Sequence, residues 1–269
     1  MERLETNTTE PARPPISVAD RDAALRAANR SRSTVRLGWL WEWAKVFPAA
    51  VLLFFLMKTA VVEAYKIPSG SMERTLMVGD FLLVNKMVYG AEIPFSGRHL
   101  PAIRSPKRGD VIVFEWPTDP TKNFVKRLVG LPGDTVAMQS GNFVLNGVVQ
   151  KEAYVVHAQP GFDPTSIDFR WQRDHVVTKG NTADPNASGL EPYRPSRDNW
   201  GPLVVAPNSF FVLGDNRDNS LDSRYWGFVP DSLLRGTPLM VYYSYAPDSS
   251  VTAPWITRIR WSRLGGTID

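Results

Sequence analysis

Ile67-Pro68-Ser69-Gly70-Ser71-Met72 stands where this chain changes character. Upstream, Val46 to Val62 is a mainly apolar run whose one charge is Lys58, with Pro48 near its start. Those 17 residues would make a helix of about 25 Å, the short end of what crosses a bilayer. Downstream, apolar residues come in short runs between Gly, Pro and Asp: 81–84, 111–114, 125–129, 144–145, 203–205, 210–213 and 239–243. Runs of this length between breakers read as strands. The sequence therefore predicts a mostly β domain of short antiparallel strands preceded by one helix.

Working outward, residues 1–20 are polar and contain Pro11, Pro14 and Pro15, a composition of disorder. Arg21, Arg26, Arg30, Arg32 and Arg36 follow as a basic flank of the kind found on the cytoplasmic side of membrane spans. Trp39, Trp41 and Trp43 suit an interfacial belt, and Lys58 could snorkel toward the far headgroups. The expected organisation is a largely disordered cytoplasmic arm over 1–45 and a transmembrane helix over 46–64. A β-domain follows over 65–150 and 203–269, with a loop-rich insertion at 151–202 holding Pro160, Gly161, Pro164, Asn181, Pro185, Asn186, Gly189, Pro192 and Pro195. A cleavable signal peptide fits poorly, because the apolar run starts late and no small-x-small pattern follows it before Ile67. The competing reading of the run is a buried helix of a soluble core. The tail Trp255-Ile256-Thr257-Arg258-Ile259-Arg260-Trp261 reads equally as an interfacial surface or an amphipathic strand.

Composition narrows the chemistry. With 43% apolar and 22% charged residues in 269, the chain can bury a sizeable core. A net charge of +4 is too small to argue for nucleic acid. The absence of cysteine excludes disulfides, thiolate catalysis and cysteine–zinc sites. The three histidines, His99, His157 and His175, form no HExxH arrangement, so neither a metal nor another cofactor is expected.

A serine nucleophile needs a base. The histidines lie in loop-like or polar surroundings and read as surface residues. The alternative is a lysine whose amine is neutralised by burial. On a strand, Phe124, Lys126 and Leu128 share one face and Val125, Arg127 and Val129 the other, each face apolar with one cation in its middle. Periodicity does not choose between the faces. Chemistry does, because arginine stays protonated and lysine need not. Lys126 is the candidate base and Arg127 a candidate ion-pair partner, with a snorkelling edge lysine as the bland competitor. The run from Gly214 to Gly227, dense in Asp, Asn, Arg and Ser after an apolar strand, reads as a turn or as a polar network beside a site. Its spacing does not match a calcium loop.

Taken together, Pro68-Ser69-Gly70-Ser71-Met72 with Thr75-Leu76 and Gly79-Asp80, Arg108 to Phe114, Lys126-Arg127 with Gly130 to Asp134, and Gly214 to Arg224 resemble the type I signal peptidases, in the same order. The resemblance is good over 46–150 and 205–245 and weak over 1–45 and 151–204. It implies a signal-peptidase-like β-domain and a membrane-anchored Ser–Lys endopeptidase. Ser71 would be the nucleophile and Lys126 the general base. The Ser71 N–H and the Ser69 hydroxyl would form the oxyanion hole. Ser220 would orient the lysine, Asp222 and Arg224 would form a supporting ion pair, and Asp215 and Arg127 would belong to the same shell. Ile67, Pro68, Met72, Leu76, Phe124 and Val125 would wall shallow substrate pockets. The implied partners are secretory preproteins, cut after small residues at −1 and −3, and a lipid bilayer. The implied place is a bacterial-type plasma membrane, crossed once by a functional monomer with its N-terminus cytoplasmic and its catalytic domain outside. A soluble self-cleaving repressor-type Ser–Lys peptidase, and an anchored β-domain that only binds extended peptides, are the rival readings.

Overall fold

The computed structural model describes residues 17–93, 98–177 and 193–268. The polar arm over 1–16 and the middle of the insertion, 178–192, lie outside the described residues. The chain divides into two units, 1–55 and 56–269.

The described part of the first unit is helical. Helix α1 (Val18–Ala60) runs for 43 residues, opened by Ser17, whose Oγ accepts from Asp20 N at 3.2 Å. The expectation of a disordered arm does not hold over 18–45. Ala23, Ala24, Leu25, Arg26 and Ala27 are strong helix formers, and their propensity outweighs the polar composition. Phe47, Leu52, Leu53 and Phe54 are exposed along the helix. Among the described residues no helix is long and apolar enough to cross a membrane. The helix also ends before residue 64. Val62 to Ala64, placed in the span by the sequence reading, belong to a strand, as β-branched Val61-Val62 followed by alternating Glu63 and Tyr65 favours.

The second unit holds β1 (Val62–Lys66), β2 (Asp80–Asn85), β3 (Glu92–Ile93), β4 (Arg98–His99), β5 (Val111–Trp116), β6 (Asp119–Gly130) and β7 (Thr135–Gln139). It continues with β8 (Asn142–Leu145), β9 (Val148–Val149), β10 (Trp200–Val204), β11 (Ser209–Leu213), β12 (Val229–Pro230) and β13 (Leu234–Ser244). Every apolar run read as a strand falls in one of these, save that Val205 lies one residue past the end of β10. Seven strands form a sheet in the order β1-β2-β13-β5-β6-β11-β12, and four form a second in the order β10-β7-β8-β9. All strand pairs are antiparallel.

Two features of this topology position the site. Four antiparallel steps separate β1 from β6, so the two run in the same direction. Both also carry an edge that no strand pairs among the described residues. β1 pairs only with β2, and β11 joins β6 only at Arg127–Gly130, which leaves Asn123–Lys126 paired on the β5 side alone. The second feature is that β6 is buried on both faces from Lys126 onward. Alternation could not choose a face because the core lies on both.

Over 151–199 the described chain has one short helix, the 3₁₀ segment Ile167–Asp174, capped by Ser166 Oγ accepting from Asp168 N at 3.1 Å. The rest is loop, tied down by bridges at Val156–Asn216 and Val176–Leu203. β10 begins at buried Trp200, three residues earlier than the runs implied. The tail is no strand: α3 (Pro254–Thr257) follows α2 (Ser223–Trp226) in chain order, with Trp255, Ile256 and Trp261 exposed.

Candidate active site

Residues 67–79 form a loop closed at its base, where Ile67 N donates to Asp80 O and Gly79 N to Ile67 O. Ile67, Met72 and Leu76 anchor it in a core cluster with Leu82, Val84, Val111, Val113 and Val241. Between these anchors Ser71 is held nearly buried, and its carbonyl accepts from Asn216 N at 3.0 Å. Gly214 makes that approach possible, since a Cβ there would stand 2.5 Å from the Ser71 carbonyl oxygen. The polar run that begins at Gly214 therefore sets the position of Ser71 directly.

Lys126 reaches the same point from the middle of β6. It is 4% exposed, and its Nζ lies 2.6 Å from Ser71 Oγ and 3.2 Å from the Val125 carbonyl. The Phe124 ring centroid is 5.4 Å from the amine. Burial lowers its pKa to about 8, with Arg224 acting in the same direction and Asp222 and Asp215 opposing. A neutral amine at this distance accepts the Ser71 O–H.

Two buried ion pairs surround the amine. Asp222 takes Arg224 Nε at 2.8 Å and Nη2 at 2.8 Å, and also accepts from Gly214 N at 3.0 Å. Burial alone would raise the Asp222 carboxyl, but the Arg224 charge and these hydrogen bonds hold it below the usual carboxylate range. Asp215 is clasped by Arg127 Nε and Nη2, both at 2.8 Å, and by Thr75 Oγ1 at 2.5 Å. Arg127 also donates to Gly109 O at 2.7 Å and lies 3.9 Å from the Tyr154 ring centroid. Charges so buried need these partners, because each alone would carry a large desolvation cost.

Beside the Ser71–Lys126 contact opens a cleft of about 360 Å³, lined by the free edges of β1 and β6 and by the 67–72 loop. Ile67, Pro68, Met72, Phe124 and Val125, named from the sequence as pocket walls, line it. Leu76 does not: it is fully buried beneath the loop, because the turn after Met72 points it into the core. Tyr65, Lys66, Asn123, Asn219 and Leu221 line the cleft without having been singled out. Alternation from Ile67 and Val125 could have suggested Tyr65 and Asn123, and Asn219 and Leu221 lie within the 214–227 run read as a turn or a polar network, without either being singled out there.

Ser69 Oγ lies 3.5 Å from Ser71 Oγ, and the Ser71 N–H has no protein acceptor among the described residues. Ser69 and Ser71 both line the cleft. Ser220 differs from its expected place. Its buried Oγ packs against Gly214, close enough to Asp222 to help hold that carboxyl down, and makes no hydrogen bond to Lys126. The direct lysine contacts are Ser71 Oγ and Val125 O instead.

The histidines stay away from Ser71. His157 Nδ1 is 3.1 Å from Asp218, His175 packs on Trp171 and Phe228, and His99 lies in β4. Among the described residues no cluster of His, Asp and Glu could hold a metal ion.

The family model "Signal peptidase, peptidase S26" matches residues 40–243. Signal peptidase I of Pseudomonas aeruginosa is 35% identical over 234 residues, 82% of this chain and 78% of its own. Signal peptidase I of Pseudomonas fluorescens is 34% identical over 231 residues, 82% of this chain and 78% of its own. Signal peptidase I of Aquifex aeolicus is 34% identical over 219 residues, 72% of this chain and 80% of its own. The chain belongs to the signal peptidase family, peptidase S26.

Proposed function

We propose that this protein is a membrane-anchored serine endopeptidase that removes signal peptides from secretory preproteins with Ser71 as nucleophile and Lys126 as general base. The observation that carries the reading is the 2.6 Å contact between Ser71 Oγ and a buried amine, opening on an apolar cleft. Neutral Lys126 takes the Ser71 proton as Oγ attacks the scissile carbonyl. The developing oxyanion accepts from the Ser71 N–H and the Ser69 hydroxyl. The Lys126 ammonium then returns its proton to the leaving amine, and water, activated by the same amine, releases the acyl group from Ser71. Asp222–Arg224 and Asp215–Arg127 keep the site rigid and its charge balanced, with Ser220 filling the space between Gly214 and Asp222.

Extended substrate fits between the two unpaired edges, Tyr65–Ile67 and Asn123–Lys126. In a strand, residues −1 and −3 point to one side and −2 to the other, so one apolar wall selects two small residues spaced by two. Ile67, Pro68, Met72, Phe124 and Val125 supply that wall.

The basic residues before α1's apolar half, its tryptophans and the exposed Phe47, Leu52, Leu53 and Phe54 support anchoring in a plasma membrane, crossed once, with the N-terminus cytoplasmic. The protein acts as a monomer. Ser71→Ala and Lys126→Met should each abolish cleavage of a preprotein while leaving thermal unfolding cooperative. Cleavage retained by Lys126→Met would rule out the dyad, and extraction of the chain by alkaline carbonate would rule out the anchor.

A further inference from the structure

The insertion is in contact with the catalytic network. α2 is one turn long and ends at Gly227, whose N–H returns to Ser223 O, so the Arg224 carbonyl has no helical partner. Two side chains of the insertion's 3₁₀ segment supply one. Trp171 Nε1 donates to it at 3.0 Å and Gln172 Nε2 at 2.9 Å. Gln172 is fully buried, and its Oε1 accepts from Tyr193 OH at 2.8 Å. That hydroxyl in turn accepts from Gly201 N at 2.8 Å, at the start of β10. Trp171 is packed against Phe228 and His175, with Gly227 directly beneath its ring. The other end of Arg224 is held too: Nη2 donates to Arg217 O at 2.7 Å, and Nη1 is 3.5 Å from the carbonyl of Arg197, another insertion residue.

We infer that Trp171 and Gln172 are positioning residues for the base. They clamp Arg224 by its main-chain carbonyl, so that its guanidinium stays against Asp222 and in reach of Lys126. The inference rests on the Ser71–Lys126 reading above. The charges acting on Lys126 are Asp222, Arg224 and Asp215, the last paired with Arg127. Those around Arg224 are Asp222, Asp198 and Tyr225, with Arg197 and Arg217 contributing carbonyls. Loosening the clamp lets the Arg224 cation retreat from the amine. The ammonium form of Lys126 is then favoured, and less neutral base is present at neutral pH.

The test is the pH dependence of kcat/KM for the full chain in detergent micelles on a synthetic signal-peptide substrate, with Gln172→Leu and Trp171→Phe. Gln172→Leu should move the limb belonging to the base upward by about half a pH unit, which lowers activity at pH 7 about threefold. Trp171→Phe, which keeps the ring packing and loses only the N–H, should move it less in the same direction, and KM should change little in both. If Gln172→Leu does not fold, Trp171→Phe decides alone. A lowered unfolding temperature with the limb unmoved in folded variants would overturn the inference and leave the dyad intact. Absence of the limb in the unaltered protein, or cleavage by Lys126→Met, would instead remove the dyad reading itself.

Discussion

Replacing Lys126 by Met should make the protein inactive and more stable. Burial moves this amine from 10.5 to about 8. At about 1.4 kcal/mol per pH unit, the buried ammonium costs the folded state about 3 kcal/mol. Below pH 8 both folded and unfolded chains hold the proton, and the whole penalty is present. Between about 8 and 10.5 the unfolded chain still binds the proton and the folded one does not, so stability rises with pH and the penalty fades. Methionine has similar volume and no charge, but it gives up the contact with Ser71 Oγ, worth about 1 kcal/mol. The expected net gain at pH 7 is about 2 kcal/mol, on the order of 4–8 °C in unfolding temperature for a domain of this size. Urea unfolding of the full chain in micelles at pH 7 and pH 10 measures it. A variant no more stable at pH 7, or an advantage that does not shrink at pH 10, would refute the argument that Lys126 is held against its charged form.

Three further outcomes follow from the geometry. Gly214→Ala brings a methyl against the Ser71 carbonyl oxygen and Ser220 Oγ, displacing the nucleophile; kcat should fall by about 10²-fold with the fold retained, as read by steady-state kinetics and circular dichroism. Ser69→Ala removes one oxyanion donor and should lower kcat by about 10²-fold with KM little changed. Arg127→Ala leaves Asp215 buried without its ion-pair partner and should destabilise by about 3–5 kcal/mol in urea titration, whereas Arg127→Ala with Asp215→Asn should recover part of that loss.

The strands were legible because their signal is local: short β-branched and aromatic runs between Gly, Pro and Asp. The proposal of Lys126 rather than Arg127 as base rests in the sequence on chemistry alone, since only one of the two cations can become neutral. The burial of both faces of β6 was not legible, because it depends on which elements lie above and below the strand. Leu76 was misplaced for a related reason. The family resemblance groups it with Met72 in a pocket wall, but both are buried in one core cluster and only Met72 also reaches the cleft. The 18–45 arm was read by composition when its alanine-rich stretch already favoured helix. The ties between insertion and site, Tyr154 on Arg127 of β6 and Gln172 on Arg224 of α2, join residues more than 25 and more than 50 positions apart. No periodicity or motif marks such contacts.

The most direct measurement of the central claim is the rate of Ser71 acylation by an activated-ester probe as a function of pH, with the labelled residue identified by peptide mass spectrometry. A single adduct on Ser71 is expected, formed at a rate that rises through about pH 8 and then levels off, with no adduct in Lys126→Met. An adduct on another residue, a half-point in the ordinary histidine range near 6.5, or undiminished labelling of Lys126→Met would contradict it.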